Sequence, residues 1–231
     1  MLELLEASEI VSRRGWLSQV PTVFRRQVLE RCLVETFAAG ATIYSVGDPP
    51  GGMYGLAAGR FGVSIAPGER GPYLVHFATP GVWFGELPAF TGLPRQLGLV
   101  AARDATVLHL PLHAIREIVR LDPGAWQFLA FVMIDHLRLL IGAADDLMLR
   151  DPARRFVAVL LRAAGCRNET PPGTEPIDID VSQDDLAAMA NMARTSVNAA
   201  LRKLEASGGV ELAYRRIRIL APEALRATLK E

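Results

Sequence analysis

The sequence predicts an α+β protein with a β-rich front half, one long apolar helix and a helical C-terminal third. Three observations carry this. Between residues 32 and 111, short β-type runs alternate with glycine and proline turns. From Asp122-Pro123 to Arg150 a proline-free, apolar stretch follows. Near the C-terminus, two helical segments joined by a tight turn precede a short hairpin pattern.

Residues 1–31 read as helical, with a break at Pro21. The strands that follow are CLVETF, ATIYS, MYGLA, RFGVSI, YLVHFA, LGLVA and ATVLHLP. Many short strands at regular spacing mean a sandwich or barrel. Breakers lie between them: Gly40, the Gly47 to Gly52 segment, Gly59, Pro67-Gly68, Gly71-Pro72 and Pro80-Gly81. Asp122-Pro123 supplies an N-cap and a first-turn proline for the long helix. Within it Trp126, Leu129, Met133, His136, Leu140, Ala143 and Leu147 follow alternating 3,4 spacing, a coiled-coil seam. Phe128, Phe131, Val132 and Leu139 add a second apolar stripe. A helix apolar on two sides needs two partners, its own barrel and the same helix of a second subunit; the alternative is a buried core helix of a monomer. The expected division is 1–121, 122–150 and 151–231. The last part begins with a helix from Pro152 to Ala164, then a polar loop and the short strand IDIDV.

Composition bounds the function. Half of the 231 residues are apolar, enough for a core. No run of about 18 uninterrupted apolar residues occurs, and MLELLEASEI does not read as a signal peptide, so a cytoplasmic protein without a membrane span is expected. Cys32 and Cys166 are far apart, which argues against a disulfide framework or an iron–sulfur cluster. His76, His109, His113 and His136 are isolated, and lone histidines are more often structural than haem ligands. No Ser–His–acid set, metal cluster or P-loop is visible, so no enzyme is expected. Net charge is zero, but residues 194–218 carry six basic side chains against two acidic ones. That stripe suffices for phosphate contact, and equally reads as a solvated helix face beside a strand edge.

Two segments carry chemistry. Ser182-Gln183-Asp184-Asp185-Leu186 opens a helix with a cap and two acids. The chain turns at Asn191-Met192, and a second helix starts at Ala193 or Arg194 and ends at Gly208-Gly209. Val197, Leu201 and Leu204 would face the core, while Arg194, Thr195, Asn198 and Arg202 would face outward toward base edges and phosphates. Val210–Leu212 and Ile217–Leu220 would form a hairpin around Ala213-Tyr214-Arg215-Arg216, a basic wing. The alternative is a helical hairpin that touches no nucleic acid. In the front half, Gly85-Glu86-Leu87-Pro88 is followed by Pro94-Arg95. A glycine allows close backbone approach, following N–H groups can hold an anion, and a buried arginine suits a phosphate. The segment could clamp a cyclic nucleotide, with Arg95 on phosphate and Glu86 on the sugar; the alternative is an internal Glu86–Arg95 ion pair.

With these parts in this order, the chain resembles the CRP/FNR family of bacterial transcription regulators along essentially its whole length. The glycines of FAAGATIYSVGD and MYGLAAG match the family's barrel, FGELPAFTGLPR its phosphate-binding cassette, 122–150 its dimer helix, and SQDDLAAMANMARTSVNAALRKLEASGGV its helix-turn-helix. The resemblance implies a double-stranded β-roll, a dimerisation helix and a winged helix-turn-helix. It implies a homodimer reading a near-palindromic duplex, effector control through the β-roll, and contact with RNA polymerase. Candidate effector-binding residues are Gly85, Glu86, Leu87, Arg95, Gln96, Leu140 and Ile141. Candidate DNA-binding residues are Gln183, Arg194, Thr195, Ser196, Asn198, Ala199, Arg202, Lys203, Arg215 and Arg216. Cyclic nucleotides such as cAMP or cGMP are candidate effectors. However, Gln96 stands where the family's nucleotide binders carry Ala or Ser, and Leu140-Ile141 where cAMP-activated members carry a Thr-Ser pair. Two aliphatic groups cannot satisfy a polar base edge, which argues against cAMP in its usual pose. Thr195 and Ala199 replace the Glu and second Arg of cAMP-type reading helices, so a different operator is expected. Two alternatives stay open: constitutive DNA binding without an effector, and a cyclic-nucleotide module acting on a protein partner.

Overall fold

The computed structural model describes residues 3–66, 71–170, 176–179, 181–213 and 216–230. Chain contacts divide it into two compact units, Met1–Arg138 and Leu139–Glu231. The cut falls inside the long helix.

The first unit begins with α1 (Leu4–Arg13), α2 (Trp16–Gln19) and α3 (Thr22–Leu29). A β-roll follows: β1 (Leu33–Phe37), β2 (Thr42–Tyr44), β3 (Gly52–Ile65), β4 (Tyr73–Ala78), β5 (Trp83–Phe84), the short α4 (Glu86–Thr91) and β6 (Leu97–Pro111). The antiparallel order is β1-β6-β3-β4, with β2 on β6 and β5 on β3. Four of the expected strands prove to be two. MYGLA and RFGVSI join as β3, and LGLVA and ATVLHLP as β6. Gly59 does not end a strand. Its φ of 88° and three register slips between Leu56 and Phe61 bend β3 while pairing continues. A Cβ there would fall 2.2 Å from the Asp104 carbonyl, so this bend admits only glycine.

α5 (Leu112–Leu121) and α6 (Ala125–Met148) follow. α5 was not anticipated; Ala114, Ile115 and Ile118 bury one face of it. Two cores result. One fills the roll around Leu56, Phe61, Leu99 and Val107. The other joins α1–α3, α5 and the start of α6. Its aromatic contacts include Trp16 against Trp83 at 5.8 Å and Phe24 against Phe128 at 5.1 Å.

α6 corrects the expected seam. Leu129 is fully buried and His136 turns toward Glu86, so both face the roll. The apolar series on the helix's outer side is Trp126, Ala130, Met133, Leu137, Leu140, Ala144 and Leu147, again at 4,3 spacing, and all but the half-buried Ala130 are exposed. Ile134, Ile141 and Met148 flank it, all exposed. Both stripes are apolar, so spacing alone could not say which one the barrel takes. This helix is also long and apolar enough to cross a membrane by length and composition.

The second unit contains α7 (Pro152–Ala163), β7 (Ile177–Ile179), α8 (Gln183–Ala190), α9 (Arg194–Ala206), β8 (Val210–Ala213), β9 (Arg216–Ile219) and α10 (Pro222–Ala227). The Asp151 side chain accepts from the Ala153 N–H at 2.8 Å and starts α7. β7, β9 and β8 form an antiparallel sheet in that order. Asp146, in the last turn of α6, is 1% exposed and takes Arg162 Nε at 3.0 Å and Arg167 Nε at 2.7 Å.

Candidate functional site

In the roll, Gly85 ends β5 in the left-handed region at φ 99°, and the chain turns straight into α4. Its missing side chain matters, because a Cβ would fall 2.4 Å from Arg95 Nη1 and from the Gly52 carbonyl. Arg95 is therefore drawn inward and is 3% exposed. Its backbone is tied to the preceding turn, donating to Asp48 O and accepting from Gly47 N–H, both at 2.8 Å. Its guanidinium lies over Tyr44 at 3.9 Å from the ring centroid and 5.5 Å from that of Tyr54. Tyr54 stacks in turn on His109 at 4.3 Å, and His109 bonds Glu35 at 2.6 Å. Arg95 Nη2 donates to Gly52 O at 3.1 Å, whereas Nε and Nη1 have no hydrogen-bond partner among the described residues. Among the described residues no carboxylate pairs with this guanidinium, so the internal Glu86–Arg95 pair does not form.

Glu86 bonds His136 instead, Oε1 to Nδ1 at 2.8 Å, with both side chains largely buried. The imidazole stacks on Phe84 at 4.9 Å. Burial opposes the charged imidazolium. The hydrogen bond and charge of Glu86, helped by the Trp83 backbone and Asp135, outweigh it and raise the His136 pKa above its ordinary value. Burial likewise pushes the Tyr44 phenol up, so Tyr44 stays neutral beside Arg95. The space between Tyr44, Glu86, Leu87, Pro88, Arg95 and Gln96 is about 20 Å³, on the order of one water. Leu87 is half-buried and Gln96 exposed. Leu140 and Ile141 are exposed on α6 and belong to the second unit.

In the second unit, α8 carries a full capping box. Ser182 Oγ accepts from the Asp185 N–H at 3.0 Å, and Asp185 accepts from the Ser182 N–H at 3.3 Å. Asn191, left-handed at φ 50°, turns the chain. α9 begins at Arg194 without a side-chain cap. Val197 and Leu201 are buried and Leu204 is half-buried, while Arg194, Thr195, Ser196, Asn198, Ala199, Arg202 and Lys203 are all exposed. The expected division of faces therefore holds. The exposed groups are locally paired: Arg194 with Asp184 at 3.3 Å, Asn198 with Gln183 at 3.3 Å and Arg202 with Glu205 at 3.0 Å. Arg216 and Arg218 share Asp178 at 3.2 and 2.9 Å, and the two arginines hold the Asp178 carboxyl below its ordinary pKa. An open groove of about 470 Å³ runs past Gln183, Asp184, Arg194, Asn198, Ala213 and Arg216. Arg215 and Tyr214 of the expected wing lie outside the described residues, as does Asp180 of the expected IDIDV strand.

Sequence reasoning did not find Tyr44, Tyr54, His136 as the partner of Glu86, or Asp146. His136 had a signal: a histidine in an apolar seam asks for a polar partner.

Comparison with known proteins agrees with this division. Residues 34–122 match the cyclic nucleotide-binding domain, and residues 154–228 match the Crp-like helix-turn-helix domain. The chain is 23% identical to the CRP-like cAMP-activated global transcriptional regulator of Mycobacterium tuberculosis, over 94% of this chain and 97% of that one. Its fold is similar to that of a CRP/FNR-family transcriptional regulator from Thermus thermophilus, with TM-score 0.67, 22% identity, and coverage of 86% of this chain and 99% of that one. FixK2 of Bradyrhizobium japonicum is similar at TM-score 0.69 and 18% identity, with coverage of 85% and 96%.

Proposed function

Because this chain belongs to the CRP/FNR family of transcription regulators, a family of DNA-binding proteins rather than enzymes, we propose that it is a cytoplasmic homodimer that reads a near-palindromic duplex and is controlled by an effector in its β-roll. The observation that carries the reading is the exposed polar face of α9, set on a capped α8 beside a basic hairpin. Arg194, Thr195, Ser196, Asn198, Ala199, Arg202 and Lys203 meet the major groove. Gln183, Arg216 and the wing residue Arg215 meet the backbone. Arg194 can read a guanine. The local acids Asp184, Glu205 and Asp178 hold these arginines until phosphates replace them.

The functional division is a sensor at 1–121, a dimer helix at 122–150 and a winged helix at 151–231. The outer series of α6 from Trp126 to Leu147 pairs with its copy, which removes this apolar surface from water without a membrane. Two half-sites then lie about one helical turn apart. The effector presents an anionic group to Arg95, with Gly85, Glu86, Leu87 and Gln96 around it. A cyclic nucleotide is the candidate that the mycobacterial relative suggests. Leu140 and Ile141 offer it no polar contact to the base. Contact with RNA polymerase follows from the family's role.

Fluorescence anisotropy on a near-palindromic duplex and on random DNA, titrated with salt, tests the reading. Tighter binding to the palindrome, with affinity falling steeply as salt rises, is expected. Equal and weak binding to both would leave a module acting on a protein partner.

A further inference from the structure

We infer that the Arg95 pocket of this chain takes a compact oxyanion, a single centre bearing two or three oxygens, and not a nucleotide. The inference rests on the reading of the roll as the effector domain and names the chemistry of its ligand.

Three observations converge. Arg95 is buried, its face is covered by Tyr44, and two of its in-plane donors, Nε and Nη1, are unmet. A guanidinium without a carboxylate in such surroundings is completed by an anion at its edge. Next, the carboxylate that would receive a sugar hydroxyl is already engaged through Oε1, because Glu86 accepts from His136 at 2.8 Å. With Glu86 turned to His136, no carboxylate among the described residues pairs with the Arg95 guanidinium that faces the space. Lastly, the space is about 20 Å³. An anion of a few atoms needs little more, whereas a nucleotide would have to push back the walls of this space, Tyr44, Leu87, Pro88 and Gln96. The exposed amide of Gln96 at the rim can donate to the same anion.

The test is titration calorimetry and thermal unfolding of the full-length protein with sodium phosphate, sodium nitrate, cAMP and cGMP, each against sodium chloride at equal ionic strength. Arg95→Gln is run alongside. The expected result is saturable binding of phosphate or nitrate, one per chain, with a raised unfolding temperature relative to chloride. Arg95→Gln should weaken it at least tenfold, and neither cyclic nucleotide should bind. Micromolar, one-per-chain binding of cAMP or cGMP overturns the proposal, as does an unfolding temperature that phosphate and nitrate leave at its chloride value. If Arg95→Gln fails to fold, the wild-type comparison still decides between these outcomes. DNA affinity measured with and without the bound anion separates the two readings. Anion binding that leaves DNA affinity unchanged keeps the oxyanion site and removes its role as effector. DNA binding in a protein that ignores the anions removes the site and keeps the regulator.

Discussion

Arg95 in the roll is 3% exposed and has no carboxylate partner among the described residues, whereas the Arg194 side chain at the start of α9 is two-thirds exposed and holds Asp184 at 3.3 Å. The buried arginine is held in place by packing, by the ring of Tyr44, the Gly52 carbonyl and the absence of a side chain at Gly85. The exposed one is solvated, and its ion pair contributes about 0–1 kcal/mol to stability. In the roll, then, the site is part of the core, and altering it should cost folding. On α9 the site is an addition to the surface, and altering it should cost binding alone.

The largest expected effect tests the first half of that contrast. Tyr44→Ala removes a buried ring and the face under Arg95. A loss of about 3–5 kcal/mol in unfolding free energy is expected from the cavity alone, measured by urea denaturation. A loss under about 1 kcal/mol, small for a large-to-small core change, would mean that Arg95 is held by something other than packing. Arg194→Ala addresses the other half. It should leave unfolding unchanged, weaken operator binding by about 1–3 kcal/mol and relax the preference at one base pair. An equal loss on random DNA would reduce Arg194 to a phosphate contact. Smaller is Ser182→Ala, which removes the cap of α8 and should cost about 1 kcal/mol of stability; a neutral result would show that packing, not the cap, fixes where α8 starts. The mildest effect is on pH dependence. His136 has a raised pKa in the fold, so the stability it adds is fully present below its ordinary value of 6.5 and is lost as pH rises through the folded value. Unfolding temperatures of wild type and His136→Gln should therefore converge with rising pH; parallel curves would mean that the Glu86 bond does not set the titration.

Most of the architecture was legible because it rests on local rules. Asp151-Pro152, Ser182 with Asp185, and Gly208-Gly209 mark helix ends by chemistry that a short window reveals. The exposed face of α9 followed from the spacing of Val197, Leu201 and Leu204. What escaped is long-range. Gly59 looks like a turn until its partner Asp104, forty-five residues on, shows that it bends a continuing strand. Leu129 and Ala130 are both apolar neighbours on α6, and only the roll's surface decides between them. α5 hid behind Pro111, although Ala114, Ile115 and Ile118 carry helical spacing. In the site, Gly85, Glu86 and Arg95 were found because they lie within eleven residues. Tyr44, Tyr54 and His136 reach it from β2, β3 and α6, and nothing in a linear pattern joins them.

Asp146 lets a last consequence be drawn, in terms of how sequences drift. One buried carboxylate serves Arg162 and Arg167, so a change at 146 takes a partner from two guanidiniums at once, while a change at either arginine leaves the carboxylate a partner. Substitution is thus asymmetric. Lineages should pass first through loss of the half-buried Arg167, then of Arg162, and only afterwards of Asp146. Chains that have lost the acid should be found with apolar or small residues already in place at both of the other positions.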